Sequence, residues 1–329
     1  MSHFILPELM KKTTLLPSAS ALRNQKLIYK FTACLVLCLM MTGFASATEG
    51  KGSAYPTGVE TIVPAMIPTY KATTFMNFNS LYVSNTVAGA TGLSAVPGYH
   101  LRVMAIASKT AHNWGVPVLG GELFNQVAVP FIYTHLELPT GEHDKFGVGN
   151  PNIETGVVYQ TGSFRWWYGF ELYTPGPSYT KSDVVNIGQH NFATAPAGAI
   201  SYHPFHGNTL VNAKYQYITN YSNNTTKYHS GQQSILEYSV LQALSKRTLL
   251  GANGYYYQQT TNDTKAGAVF NAGLRGRNAS IGPEVRCRFN HLLATVKWES
   301  EFKTENAPHG NSFWLQLAVP LSHSPSHSR

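Results

Sequence analysis

From residue 73 onward, apolar and polar side chains alternate in runs separated by clusters of Gly, Pro, Asn, Asp and Thr. A period of two marks strands with one apolar and one polar face. About twelve such strands are predicted, at 73–84, 98–107, 118–131, 153–161, 164–173, 191–203, 208–219, 233–245, 248–259, 279–289, 292–303 and 312–321. Each is close to the roughly 9–11 residues that a tilted strand needs to cross the hydrocarbon layer of a membrane.

Two hairpins test the pattern, because opposed residues of an antiparallel pair share a face. A turn at Asn290-His291 sets Phe289 against Leu292, Cys287 against Ala294 and Val285 against Val296. The other face sets Glu284 against Lys297, with Arg286, Arg288 and Glu299 beside them. A turn at Gly162-Ser163 sets Tyr159 against Trp166, Val157 against Tyr168 and Thr155 against Phe170. Its polar face sets Gln160 against Arg165 and Glu154 against Glu171. Two facing carboxylates repel, so this register requires a cation between them, or a bulge that shifts it. In 208–219, Val211, Ala213, Tyr215 and Tyr217 alternate with Asn212, Lys214 and Gln216. In 233–245 the two faces are not distinguished, and Glu237 is left unassigned.

The connections sort by length. Short turns fall at 162–163, 204–207, 246–247 and 290–291, and long ones include 132–152, 174–190 and 260–278; only 108–117 is intermediate. Alternating tight turns and long loops is the signature of an outer-membrane barrel. The expected fold is all-β: a closed antiparallel transmembrane β-barrel over 73–321, with both termini periplasmic.

What precedes the barrel fits export. Residues 31–44, FTACLVLCLMMTGF, follow Arg23, Lys26 and Lys30 and lead into Ala45-Ser46-Ala47, a small-x-small site. Residues 1–47 are thus a signal peptide cleaved after Ala47, and Met10 is an alternative start. Residues 48–72 are rich in Gly and Pro, and Pro56, Pro64 and Pro68 exclude both a helix and a central strand. This segment is either a mobile lead-in or, the favoured reading, a partial plug folded back into the barrel, with Tyr55, Pro56, Glu60, Pro64 and Pro68 as its marked residues. Residues 322–329 form a Ser- and Pro-rich tail expected to be disordered.

Composition agrees. Charged residues are 12% and aromatics 12%, and no run of about twenty apolar residues follows residue 44 for a membrane helix. Taking the five basic residues Lys11, Lys12, Arg23, Lys26 and Lys30 from 24, and Glu8 from 16, leaves 19 basic and 15 acidic residues, a net of +4. That is too little and too dispersed for a nucleic-acid stripe. Cys34 and Cys38 lie in the leader, so Cys287 stands alone and forms neither a disulfide nor a metal site. Trp166, Tyr168, Tyr215, Tyr217, Tyr255, Tyr257 and Trp298 are candidates for interfacial girdles.

No nucleophile elbow, phosphate-binding loop, His-Glu-x-x-His or Cys-x-x-Cys occurs. Glu142, His143 and Asp144 read as a solvated loop; His203 and His206 flank a turn, and His323 and His327 lie in the tail. No catalytic residue, metal or cofactor is expected. The chemistry left is the inner face: Glu154, Arg165, Glu171, Lys214, Glu284, Arg286, Arg288, Lys297 and Glu299 line the lumen. Buried there, they must be paired or hydrated, which either stiffens the barrel or tunes passage. Twelve strands enclose less than the 16–18 of an open porin, so free diffusion is not implied.

Several stretches carry a resemblance. They are Gly52 to Glu60 (GSAYPTGVE), Val96 to Tyr99, Gly188 to Phe192 (GQHNF), Gly231-Gln232, Gly254 to Thr261 (GYYYQQTT), Ile281 to Pro283, and Phe313 to Leu321. In these the chain resembles the outer-membrane barrel proteins of the meta-pathway of phenol degradation family over nearly all of its mature length. The resemblance implies a barrel that admits hydrophobic or aromatic compounds for catabolism, and the family brings no catalytic residues. This chain departs from the family's ending, since Ser322–Arg329 follow the terminal aromatic strand by which barrels are recognised for assembly.

The expected function is an outer-membrane channel or uptake protein for small hydrophobic or aromatic compounds. Its partners are outer-membrane lipid, the solute and the barrel-assembly machinery, with no nucleic acid. The alternatives are a sealed structural or surface-interaction barrel and, third, a barrel hydrolase.

Overall fold

The computed structural model describes residues 52–61, 66–68, 70–204 and 208–322. The leader, Pro64, His206, His323 and His327 lie outside them. The strands are β1 (Thr73–Val87), β2 (His100–Val118), β3 (Gly121–Leu138), β4 (Gly141–Val148), β5 (Asn152–Thr161), β6 (Phe164–Tyr173), β7 (Ala193–Tyr202) and β8 (Thr209–Asn220). They continue with β9 (Tyr228–His229), β10 (Gln233–Ala243), β11 (Thr248–Gln259), β12 (Thr264–Lys265), β13 (Ala268–Val269), β14 (Arg277–Phe289), β15 (Leu292–Glu305) and β16 (Pro308–Pro320).

Antiparallel pairing runs from β2 through β1, β16, β15, β14, β11, β10, β8, β7, β6 and β5 to β3, and β3 pairs back onto β2. Twelve strands therefore close on themselves, with β4 attached to β3, while β9, β12 and β13 form a separate small sheet. Closure leaves the twelve barrel strands without a free sheet edge, which is what a β structure needs in lipid.

Both hairpin registers hold. Phe289 pairs with Leu292, Val285 with Val296 and Glu284 with Lys297; Tyr159 pairs with Trp166 and Glu154 with Glu171. The outer face is apolar, with Met104, Ile106, Phe131, Val240, Val296, Phe313 and Leu315 exposed. Polar side chains such as Gln126, Asn212, Gln216, Ser239 and Asn253 point inward and are buried. This inversion of the soluble pattern is the form a barrel in lipid takes.

One rim carries the turns Leu119-Gly120, Gly162-Ser163, 244–247 and Asn290-His291, the end of β7 and start of β8, and the outer ends of β1 and β16. There Leu321 N donates to the Thr73 carbonyl at 2.9 Å, so the two ends of the barrel chain meet. The other rim carries 88–99, 174–192, 221–232 and 260–276.

Three connections differ from the sequence expectation. Residues 108–117 are strand, not turn: β2 runs to Val118 and a two-residue turn follows. Lys109, Ala111 and Asn113 face inward, and polar inward positions mimic a loop in the sequence. The span 132–152 is not a loop either, because β3 continues to Leu138, turns at Pro139-Thr140 and returns as β4. Finally, β15 and β16 extend until only Asn306-Ala307 separates them, so one connection on the long-loop rim is short.

The wall is uneven. β2 and β3 have 19 and 18 residues, whereas β6 and β7 have 10 each. Beside β3, the lower half of the neighbouring strand is β5 and the upper half is β4, and the handover falls opposite Pro130. Pro130 has no N–H for the ladder, and its carbonyl accepts from Gly149 N at 2.9 Å. The Asn150 amide then donates to the carbonyls of Thr174 and Gln189 at 2.8 and 2.9 Å, clamping the 174–192 connection against the kink. Lys145 holds the same connection through Asp183 at 2.6 Å, and that hydrogen bond lowers the Asp183 carboxyl from its ordinary range.

Candidate functional site

The lumen is occupied by the segment that precedes β1. Near the turn rim, Arg165, two residues past the Gly162-Ser163 turn, donates to the carbonyls of Ile67 at 2.5 Å and Pro68 at 3.1 Å. Asn113 also donates to the Pro68 carbonyl, at 3.1 Å. At mid-height Ser239 Oγ donates to the Thr61 carbonyl at 3.0 Å, and Gln316 Nε2 donates to the Val59 carbonyl at 2.7 Å. At the loop rim the Gly52 carbonyl accepts from Gln189 at 2.7 Å and from Gln233 at 3.3 Å. Residues 66–68 and 70–72 thus lie toward the turn rim and 52–61 reach from mid-height to the loop rim. Prolines suit it to this course, since a segment without a regular ladder must be satisfied by side chains of the wall.

Ionised groups of the wall do much of that. Glu237, at the middle of β10, accepts from the Tyr55 hydroxyl and the Gly58 amide, both at 2.5 Å, and from the Glu60 amide at 3.2 Å. Glu60 in turn lies between two lysines of the wall, pairing with Lys109 of β2 and, at 2.5 Å, with Lys214 of β8. Lys214 also binds Glu171 at 2.6 Å, and Lys109 lies 3.7 Å from Glu154. The facing carboxylates Glu154 and Glu171 are therefore each served by a cation from another strand. Across the lumen, Lys297 donates to the Gly58 carbonyl and binds Glu299 at 3.0 Å. Thr61 Oγ1 reaches Glu284, which holds Arg286 at 2.7 Å.

Of the marked residues, Glu154, Glu171, Lys214, Glu284, Arg286, Lys297 and Glu299 are buried in the lumen. Arg165 is half-buried under the segment, and Tyr55 and Glu60 are buried in it. Pro56 lines a cavity and Pro68 supplies the carbonyl held by Arg165. Arg288 is a correction: it is exposed beside the Asn290-His291 turn, where the strand has already left the lumen. Tyr255 and Tyr257 are a second, since they face inward; in the run Tyr255-Tyr256-Tyr257 only Tyr256 faces out. Pairing of Tyr255 with Glu237 sets that parity. Lys109 and Glu237 were not legible as site residues. Their signal would have been the inward parity of 109, 111 and 113, and of 235, 237, 239 and 241.

Gly58 is where the segment passes closest to the wall. Its φ is +86°, and a Cβ there would overlap the Glu299 carboxylate. Gly58→Ala is expected to add about 1–2 kcal/mol of left-handed backbone strain and to dislodge Glu299. Amide exchange of residues 52–61 should then quicken while strand amides keep their rates; unchanged exchange would contradict this close fit.

Above Tyr55 and Pro56 a chamber of about 310 Å³ reaches the 306–307 turn. Val103, Ala105 and Ile132 line it together with Tyr82, Tyr255, Tyr257, Trp314 and Glu301. Its lining is thus apolar and aromatic apart from one carboxylate and a few small polar groups.

A family model described as "Putative MetA-pathway of phenol degradation" matches residues 84–317. Among solved structures, the COG4313 outer membrane channel from Pseudomonas putida F1 is similar, with a TM-score of 0.69 at 13% identity over 77% of this chain and 97% of that one. Looser likenesses are the CymD monoaromatic hydrocarbon channel (TM-score 0.41, 10% identity, 87% and 99% covered) and a Pseudomonas aeruginosa FadL homologue (0.38, 10%, 84% and 96%). These likenesses concern the fold. No curated protein matches by sequence.

Proposed function

The chain belongs to the family described as "Putative MetA-pathway of phenol degradation", and from that membership we propose an outer-membrane channel for small hydrophobic or aromatic compounds, gated by its own N-terminal segment. The observation that carries this reading is the chamber. An apolar cavity of about 150 Å³ holds benzene, so about 310 Å³ lined by tyrosines, Trp314 and aliphatic side chains accommodates a substituted single ring. Tyr55 and Pro56 form its floor, which places the N-terminal segment across the onward path.

In this reading the turn rim and both termini face the periplasm, and the long connections face outward. Cleavage after Ala47 frees the segment to thread back up the lumen. Export, insertion by the barrel-assembly machinery and contact of the apolar outer face with lipid complete the picture. The COG4313 structure, whose fold this chain shares, is described as an outer membrane channel, which supports a transport role over a hydrolytic one. The sealed-barrel alternative remains distinct in its consequence, because charge pairing alone would then close the lumen.

The test is solute entry. Proteoliposomes holding the purified protein should take up toluene at several times the rate of protein-free vesicles. Equal rates, with the protein shown to be folded, would remove the transport reading.

A further inference from the structure

The chamber has a charge asymmetry. Its lining includes Glu301 and no Lys, Arg or His. Glu301 is buried at 6% exposure and forms no ion pair among the described residues; it accepts instead from Tyr255 Oη at 2.5 Å, Tyr82 Oη at 2.9 Å and Gly310 N at 2.5 Å. These donors, and the Asn278 side chain beside them, are all neutral, so they bring no positive charge to the carboxyl group, which stands beside a set of aromatic rings. An aromatic face attracts a cation, most strongly where water is excluded. A buried carboxylate without a cation is costly unless one arrives.

The lumen already seats its own ammonium groups in this way. Lys214 Nζ stands 4.7 Å from the centroid of Tyr55, and Lys297 Nζ 5.3 Å from that of Trp314. Both are neutralised by carboxylates of their own, Lys214 by Glu60 and Glu171 and Lys297 by Glu299. They therefore leave Glu301 unserved, with the hydroxyls of Tyr82 and Tyr255 on it.

Resting on the uptake reading, we infer that the chamber is a binding site for organic ammonium compounds with an apolar or aromatic body, and that Glu301 determines this preference. The ammonium group takes the place by Glu301 and the tyrosine rings, and the body lies against Val103, Ala105 and Ile132. The same field disfavours organic anions, so an aromatic carboxylate of equal size is turned away. Neutral aromatics enter on apolar contact alone.

Calorimetric titration of the detergent-purified full-length protein with three probes tests this: benzylammonium, benzyl alcohol and phenylacetate. Benzylammonium should bind at least about tenfold more tightly than benzyl alcohol, as expected for a desolvated cation–π site with a carboxylate, and phenylacetate should bind least. In Glu301→Gln, whose amide oxygen can keep the Tyr82 hydroxyl and the Gly310 amide as donors while its NH2 group faces the Tyr255 hydroxyl oxygen, the ammonium preference should fall to near unity; Glu301→Asp should restore most of it. Equal binding of the amine and the alcohol by the wild-type protein, binding of neither, or a preference that survives Glu301→Gln would each overturn the inference. Wild-type uptake of toluene separates the two readings. A protein that passes toluene without preferring benzylammonium refutes this inference alone, and one that passes no toluene refutes the uptake reading beneath it.

Discussion

Deleting residues 48–72 is expected to turn a closed barrel into a conducting one. The described residues of the segment lie in the lumen and are held from β2, β6, β8, β10, β14, β15 and β16, so its removal opens a water-filled path for ions that the full-length chain lacks. Lys109 and Lys214 would lose Glu60 but keep Glu154 and Glu171, and Lys297 would keep Glu299. These residual pairs sit on the wall, which leaves the axis to water. In planar bilayers the deletion should raise conductance at least about tenfold over the full-length chain, to a level below that of wider 16–18-stranded porins. Silence in both proteins would favour a lumen sealed by its own charges.

The second large effect is on stability. Lys214 joins the segment to the wall through Glu60 and Glu171, 2.5 and 2.6 Å away, and all three are buried. Lys214→Met leaves Glu171 buried without a cation and Glu60 with Lys109 alone. Breaking a buried pair from one side destabilises by about 3–5 kcal/mol, because the remaining charge is neither solvated nor paired. The loss should appear as a lower urea midpoint for unfolding from lipid bilayers. Replacing Glu60, Glu171 and Lys214 together by Gln, Gln and Met should recover part of it, since no lone charge remains. A change below about 1 kcal/mol in Lys214→Met would mean that water in the lumen screens these groups as at a surface.

Much of the wall was legible because lipid imposes a strict rule. Strands β6 and β11 have the bounds that alternation predicts; Gly162-Ser163 is the turn expected, whereas β10 stops at Ala243 and the turn before β11 widens to 244–247. Where the chain departs from the rule, the reason is physical. Inward positions of a barrel are polar, so Lys109 and Asn113 in β2 read as a turn; β4 is largely exposed, so its polar run Glu142-His143-Asp144 reads as a loop. In β10 the inward face mixes Gln233, Ile235, Glu237, Ser239 and Leu241, which carries no parity signal until the segment that binds Glu237 is in place. Tyr255 and Tyr257 lie in a run of like residues where alternation is invisible. The contact between residues 52–61 and six or more distant strands is a tertiary fact. Sequence could mark the segment as neither helix nor strand, and composition could place acids and bases opposite each other, but not which lysine meets Glu60.

The central claim is that this chain folds as a closed barrel in the outer membrane, and heat-modifiable migration tests it most directly. Protein extracted from outer membranes in mild detergent should run faster on a denaturing gel when unheated, and shift to its full apparent mass only after boiling. Protein recovered as a soluble periplasmic species, with the same mobility before and after boiling, would contradict the account.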